Sequence, residues 1–317
     1  MHKELKGWIE WLGMEDAELI ALHGDASSRR YYRVSDQSPA LIVMDASDDK
    51  ESVPIFIGIN WRLSDAKVRI PGIQSYELDK GFILLEDVGT THLYDKCSPA
   101  YYEKAIKTLA TMQEAPHQGL EPYDEAFLLQ EMNLMLEWYL KKHLNQKVEC
   151  VEAKTLLESF SLIAKEVLAQ PQETFVHRDY HSKNLMIDQK DEIVVIDFQD
   201  AKSGALTYDL VSLLRDAYVV LDKRERARLI KLFKELKGIE VDDETFMRWF
   251  DFTGLQRHIK ILGIFARLSI RDGKSSYLDN IPLVLEYVLD VASKYPELEG
   301  LASLLTLEEK DSEGFCF

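Results

Sequence analysis

The 317-residue sequence predicts an α+β fold in two lobes, a small β-rich one over residues 1–88 and a larger, mainly helical one over residues 89–317. Three observations carry this. Short apolar runs crowd residues 30–90. Helical apolar periodicity dominates after residue 97. No internal repeat, low-complexity tract or long Gly/Pro-rich linker interrupts either part. The change of pattern falls at Glu86-Asp87-Val88-Gly89, where an apolar run ends, and marks the hinge.

The β-like runs are Tyr31–Val34, Leu41–Met44 and Phe82–Leu85. Between the last two, residues 49–66 read as a helix, with Ile55, Ile59 and Leu63 at four-residue spacing. Helical patterns follow over 101–113, 125–144 and 153–169, and again over 207–221, 223–237, 243–270 and 280–295. One exception stands among them. Leu185–Ile187 and Ile193–Ile196 are apolar runs joined by Asp188-Gln189-Lys190-Asp191-Glu192, the pattern of a β-hairpin.

Composition excludes several functions. Lys and Arg total 38 against 55 Asp and Glu, a formal net charge of -17. Such a surface repels phosphate backbones and anionic lipid heads, so no nucleic-acid or membrane partner is expected. No apolar run approaches the roughly 20 residues that cross a bilayer. The first twenty residues carry charges throughout and no signal-peptide core. Cys97, Cys150 and Cys316 are few, scattered and odd in number, which suggests the reducing cytoplasm and no cysteine-based metal site.

The chemistry flanks the hairpin. His177-Arg178-Asp179-Tyr180-His181-Ser182-Lys183-Asn184 precedes it and Asp197-Phe198-Gln199-Asp200 follows it. Folding the chain back brings Asn184 and Asp197 to one end. An amide oxygen and a carboxylate, completed by nucleotide phosphate oxygens, suit Mg2+. A second carboxylate, Asp179, can take the proton of an attacking hydroxyl. These are the parts of a phosphoryl-transfer site. Either motif alone is common, and their combination at this separation is specific. As plain loop carboxylates, Asp179 and Asp197 would cap helices or turns instead.

His177–Asn184 with Asp197 resembles the aminoglycoside phosphotransferase and choline kinase superfamily, relatives of the protein kinases. A closer resemblance adds Gly24–Val34, Asp197–Ala201, Tyr208–Tyr218, Gly254–His258 and Ile264–Arg267. Together these are similar to the bacterial anomeric kinases of N-acetylmuramate and N-acetylglucosamine, over about residues 5–295. The resemblance implies a bilobal protein-kinase-like fold, ATP and Mg2+ as cofactors, and transfer to the sugar 1-hydroxyl in cell-wall sugar recycling. The expected partner is a small amino sugar, and a monomer is expected.

Roles follow from the resemblance. Asp179 is the expected base, and Asn184 and Asp197 the expected metal ligands. His181 is a second catalytic candidate, near the transferred phosphate or the sugar, or else a packing residue. His177 and Asp209 are expected to brace the loop, and Arg178 and Lys183 read as solvated loop cations, with a phosphate contact as the alternative for either. No G-x-G-x-x-G is present; the turn Gly24–Arg30, with Ser27, Ser28, Arg29 and Arg30, is expected to cover the phosphates in its place, a plain hairpin being the alternative. Met44 stands where a kinase lysine is expected, which makes Arg29, Arg30 or Arg33 the substitute cation. Glu86 and Asp87 complete the nucleotide site through hinge backbone groups. Gln199, Asp200, Arg215, Asp216, Tyr218, Arg257 and His258 are the sugar-site candidates. For the lactyl carboxylate, Arg215 or Arg257 offers a two-pronged grip, although Asp209–Asp216 also fit helix-packing ion pairs.

Two alternatives stay open at this level. One is a kinase of another hydroxyl substrate, of aminoglycoside, choline or homoserine type. An acidic surface suits polycationic aminoglycosides, whereas choline needs an aromatic cage. The other is a kinase-like nucleotide binder without catalysis, favoured by Met44 and opposed by the intact Asp179, Asn184 and Asp197. The short segment from Asp197 to Tyr208 leaves little activation loop for a protein substrate.

Overall fold

The computed structural model describes residues 3–22 and 29–312. The phosphate-loop candidates Ser27 and Ser28 lie outside them. In chain order the elements are α1 (Lys3–Trp11), β1 (Leu19–Leu22), β2 (Arg30–Val34), β3 (Leu41–Asp45), α2 (Ser52–Asp65), β4 (Ile73–Glu77), β5 (Phe82–Glu86), α3 (Pro99–Met112), α4 (Glu125–Leu134), α5 (Cys150–Leu168), β6 (Thr174–Val176), β7 (Leu185–Ile187), β8 (Ile193–Val195), β9 (Lys202–Gly204), α6 (Tyr208–Leu214), α7 (Lys223–Lys237), α8 (Asp243–Asp272), α9 (Ile281–Ala292) and α10 (Glu299–Ser312). The chain divides into two compact units. The first holds residues 1–116 with 182–201, the second 117–181 with 202–317. Among the described residues no helix is long and apolar enough to cross a membrane.

In the first unit an antiparallel sheet runs in the order β1-β2-β3-β5-β4. Leu5, Trp8 and Ile9 of α1 pack on Val34, Val43, Phe82 and Leu84, so one sheet face is covered and fixed in register. The edge strands β1 and β4 escape a periodicity reading because their residues are half-buried or exposed. The predicted helix over 49–66 exists as α2, but Ile55 is 57% exposed. Phe56 and Ile57 turn inward instead, beside Val53, Ile59 and Leu63. The predicted hairpin is β7 and β8, paired from Leu185↔Val195 to Ile187↔Ile193. Val195 N–H donates to Arg69 O and Ile187 N–H to Thr91 O, which ties both strands into this unit. Phe198 packs on Phe56 with ring centroids 4.9 Å apart.

The second unit is built around α8, which is buried on all sides from Phe250 to Gly263 because α4, α5, α6 and α9 pack against it. Asp242 caps its start by accepting the Thr245 N–H, and Gly273 ends it at φ 70°. Gly263 is required by a close approach. A Cβ there would come within 2.3 Å of the Leu134 carbonyl carbon. That crossing coincides with a change in the predicted 125–144 helix, which is α-helical to Leu134 and π-helical from Met135 to His143. The helix predicted over 207–221 stops at Leu214. Asp216 accepts the Tyr218 N–H at 2.9 Å, a local turn bond that competes with the helix ladder. β6 and β9 form a second short antiparallel pair.

Candidate active site

In the first unit the β7–β8 hairpin positions the metal-ligand candidates. The Ile196 N–H donates to Asn184 O at 3.1 Å, which continues the ladder past Leu185 and sets Asn184 beside the end of β8. Asn184 Nδ2 then lies 3.4 Å from Asp197 Oδ2. Gln199 Nε2 donates to Asp197 Oδ1 at 2.8 Å and to Asp200 Oδ2 at 3.3 Å. Asp197 takes φ 63°, a left-handed conformation that turns its exposed carboxylate away while Phe198 is buried. Among the described residues no three His, Cys, Asp or Glu side chains group as a metal site. The Asn184 amide, flipped, would present its oxygen next to Asp197. The pair therefore fits a hard cation completed by phosphate oxygens.

The same unit distributes the predicted phosphate cations differently. Arg30 Nη2 lies 3.3 Å from Asp45 and 3.0 Å from Asp48. Arg33 pairs with Asp87 through Nε at 2.5 Å and Nη2 at 3.3 Å. Arg29 hydrogen-bonds Tyr31. Burial pushes the Tyr31 phenol up to about 12, against Arg29 and helped by the nearby Asp197. Met44 is fully buried in β3, paired across to Tyr31. Glu86 is gripped by Arg69 at 2.6 and 2.7 Å, and the Gly72 N–H also donates to it. Its pKa is lowered, chiefly by the Arg69 hydrogen bonds. The Glu86 and Asp87 N–H groups donate to Gly72 O and Ala40 O. Both side chains and both amides of this hinge pair thus serve the fold.

In the second unit the loop that carries Asp179, the candidate base, is braced by Asp209. Asp209 accepts the His177 N–H at 2.7 Å and the Arg178 N–H at 3.0 Å. Burial raises the Asp209 carboxyl to about 6, against His177 and these two amides. His177 is buried, and its Nδ1 accepts the Asp179 N–H at 3.2 Å, which makes it the structural brace expected of it. Arg178 departs from the expectation of a solvated cation. Its Nη2 meets Glu131 Oε1 at 2.6 Å, with the guanidinium beside the Tyr123 and Phe127 rings. A buried acid on α4 claims it, at the cost of a left-handed backbone with φ 77°.

Asp179 keeps 43% of its side chain exposed while a buried Arg257 stands 3.7 Å behind it. Burial pushes its carboxyl up, but Lys260, Arg257, His181 and Arg178 together outweigh that and hold it well below the usual carboxylate range. Burial lowers the His181 pKa despite Asp216 and Asp179 nearby, which favours the neutral imidazole. Its ring meets Tyr218 edge-on at 5.3 Å. Asp179, His181, Asp216, Tyr218 and Arg257 are thereby grouped in one unit. Arg215 and His258 are turned elsewhere. Arg215 Nη2 pairs with Asp251 at 2.9 Å, and His258 Nε2 donates to the Arg215 carbonyl at 2.9 Å. Burial lowers His258 to about 3. Gln199 and Asp200 belong to the first unit.

Sequence reasoning passed over Glu131, Lys260 and Arg69. Each is one charge within an amphipathic or loop stretch, with no motif to single it out. The burial of Glu131 and Lys260, and the pairing of half-buried Arg69 with Glu86 and Asp188, would have been the signal, and both are properties of tertiary packing alone.

Residues 18–250 match the model of the phosphotransferase enzyme family. The chain is 37% identical to the N-acetylmuramate/N-acetylglucosamine kinase of Pseudomonas aeruginosa over 95% of its own length and 90% of that protein. It is 35% identical to the protein of the same name from Neisseria meningitidis serogroup B, over 99% and 98%. Among solved structures, a choline kinase from Streptococcus pneumoniae superposes with a TM-score of 0.64 at 13% identity, covering 91% of this chain and 98% of that one. That likeness establishes the protein-kinase-like fold. The chain belongs to the phosphotransferase enzyme family and is an ATP-dependent kinase.

Proposed function

We propose that this kinase transfers the γ-phosphoryl group of ATP to the anomeric hydroxyl of N-acetylmuramate or N-acetylglucosamine. The sugar 1-phosphate it releases would serve cell-wall sugar recycling. The observation that carries the substrate reading is near full-length similarity to two kinases named for these sugars.

In this reading the sugar oxygen attacks the γ-phosphorus, its proton passes to an Asp179 oxygen, and the bond to the ADP oxygen breaks. An ionised Asp179 with an exposed face suits that role. Arg257 behind it would set its direction. His181, beside Tyr218, would donate one hydrogen bond to the sugar or accept one from it. Asn184 and Asp197 would hold Mg2+, which would neutralise charge on the phosphate oxygens. With Arg30 and Arg33 engaged by carboxylates, Arg29 is the best-supported substitute for the missing lysine, because its partner Tyr31 lies in the electrostatic reach of Asp197. Adenine would be read by backbone groups of the hinge other than the Glu86 and Asp87 amides. Asp216, Tyr218 and Arg257 would line the sugar site. Gln199 and Asp200 are second-rank candidates, because Gln199 Nε2 donates to both the Asp197 and the Asp200 carboxylates. Arg215 and His258 would act by shaping the segment that carries Asp216.

A screen of ATP consumption against both amino sugars, aminoglycosides and choline tests this. Turnover with an N-acetylated amino sugar at least a hundredfold above the others is expected. Preference for an aminoglycoside or choline would overturn the substrate reading.

A further inference from the structure

Glu131 on α4 and Lys260 on α8 form a buried ion pair, Oε1 to Nζ at 3.2 Å, with side chains 8% and 4% exposed. A buried pair by itself says little, because desolvation offsets the attraction. The neighbours of this pair say more. The same Glu131 oxygen takes Arg178 Nη2 at 2.6 Å. Its other oxygen accepts the Tyr123 hydroxyl and, at 3.2 Å, Gln256 Nε2. Lys260 also approaches the Tyr208 hydroxyl at 3.3 Å, which lies 2.9 Å from that of Tyr123. Glu131 therefore fixes the residue immediately before Asp179, in a backbone conformation that a non-glycine residue keeps only under constraint. Arg178, Arg257 and Lys260 bring three positive charges to this wall, which also carries the acids Glu131, Asp179, Asp209 and Asp216; Arg257 faces Asp179 at 3.7 Å, and Lys260 follows it by one turn of α8. Cations this near favour the ionised form of the most exposed acid, Asp179.

We propose that Glu131 and Lys260 are positioning residues for the catalytic loop. Glu131 locks Arg178 and with it the direction of Asp179, and Lys260 holds Glu131 while adding a positive charge, one helical turn from Arg257, to the wall behind Asp179. This rests on the reading of Asp179 as the base. The charged and titratable groups around Asp179 are His177, Arg178 and His181 of its own loop, Glu131 of α4, Tyr208 and Asp209 of α6, Asp216 and Tyr218 after it, and Arg257 and Lys260 of α8. Lys260 is the largest of the attractive influences on the Asp179 carboxyl.

The test measures the single-turnover phosphoryl-transfer rate of the full chain from pH 5 to 8.5, with KM for ATP. Wild type should hold its rate down to pH 5. Lys260→Met should lose at least threefold between pH 7 and pH 5, with KM for ATP within twofold, and Lys260→Arg should restore the flat profile. Glu131→Gln should lower the rate at least tenfold at every pH without an acid-side loss, because the negative charge it removes is the one that opposes Asp179 ionisation. A purely structural pair would lower rate and melting temperature with the pH profile unmoved, and that outcome overturns the proposal. If Lys260→Met does not fold, Lys260→Gln and Glu131→Gln carry the same test. Asp179→Asn assayed alongside separates the two failures. Near wild-type turnover there sinks the base assignment. An inactive Asp179→Asn with unmoved profiles in the other variants sinks only the roles of Glu131 and Lys260.

Discussion

Arg257 Nη1 stands 3.7 Å from Asp179 Oδ1, the cation buried and the carboxylate 43% exposed. The pair presents a charged oxygen to solvent while its counter-charge stays in the wall. Asp179→Asn keeps the shape and removes the proton acceptor. Positioned acid–base catalysis contributes about 10²–10⁴-fold, so turnover should fall by at least that range with nucleotide affinity nearly unchanged. Steady-state kinetics with nucleotide titration checks this, and wild-type turnover in the folded variant removes Asp179 from the role.

The proposed metal pair, Asn184 and Asp197, gives a second expectation. Activity should depend on Mg2+ or Mn2+, and Asp197→Ala should weaken metal–nucleotide binding as well as turnover, because Asp197 is the only carboxylate of the Asn184–Asp197 pair. Calorimetric titration of ATP with and without chelator reads this directly. Full activity in excess chelator contradicts it.

Arg29, Arg30 and Arg33 should separate in kinetics. Arg29→Ala should raise KM for ATP and lower kcat at least tenfold. Arg33→Ala, which breaks the pair with Asp87, should act mainly on stability, since that carboxylate is left 5% exposed without its cation. Equal kinetic effects from both would argue against Arg29 as the replacement for the lysine absent at Met44.

His258 makes stability pH-dependent in a definite direction. Its folded pKa of about 3 lies below the ordinary 6.5, so the folded state binds fewer protons than the unfolded one in between. The neutral ring stabilises fully above pH 6.5, and that stability is lost as pH falls toward 3. The slope is up to about 1.4 kcal/mol per pH unit. Urea unfolding of wild type and His258→Gln at pH 7 and pH 5 should show a smaller loss in the variant. Equal losses would mean that His258 is already free to protonate when folded.

The sequence carried much of this because motif residues are local. The span from His177 to Asp197, the hairpin within it and the long helices are set by spacing and periodicity that any reader of one chain can see. Edge strands β1 and β4 were not visible: β1 is four apolar residues with no polar alternation, and β4 alternates in burial but puts Ser75 and Glu77 on its half-buried face and leaves Tyr76 exposed. The short α6 read as a longer helix because Asp216 ends it through a single turn bond. Ile55 kept helical spacing yet faces outward, because α2 buries Phe56 and Ile57 instead. Arg178 looked like a surface cation because its partner Glu131 lies 47 residues earlier and only packing brings them together.

Phosphorus NMR of the product, formed from ATP and N-acetylglucosamine, is the most direct measurement. A phosphate on the anomeric carbon, coupled to its proton and absent when the sugar is first reduced to N-acetylglucosaminitol, is the predicted result. Equal phosphorylation of the reduced sugar, or a product that still reduces copper, places the phosphate elsewhere and contradicts the assignment.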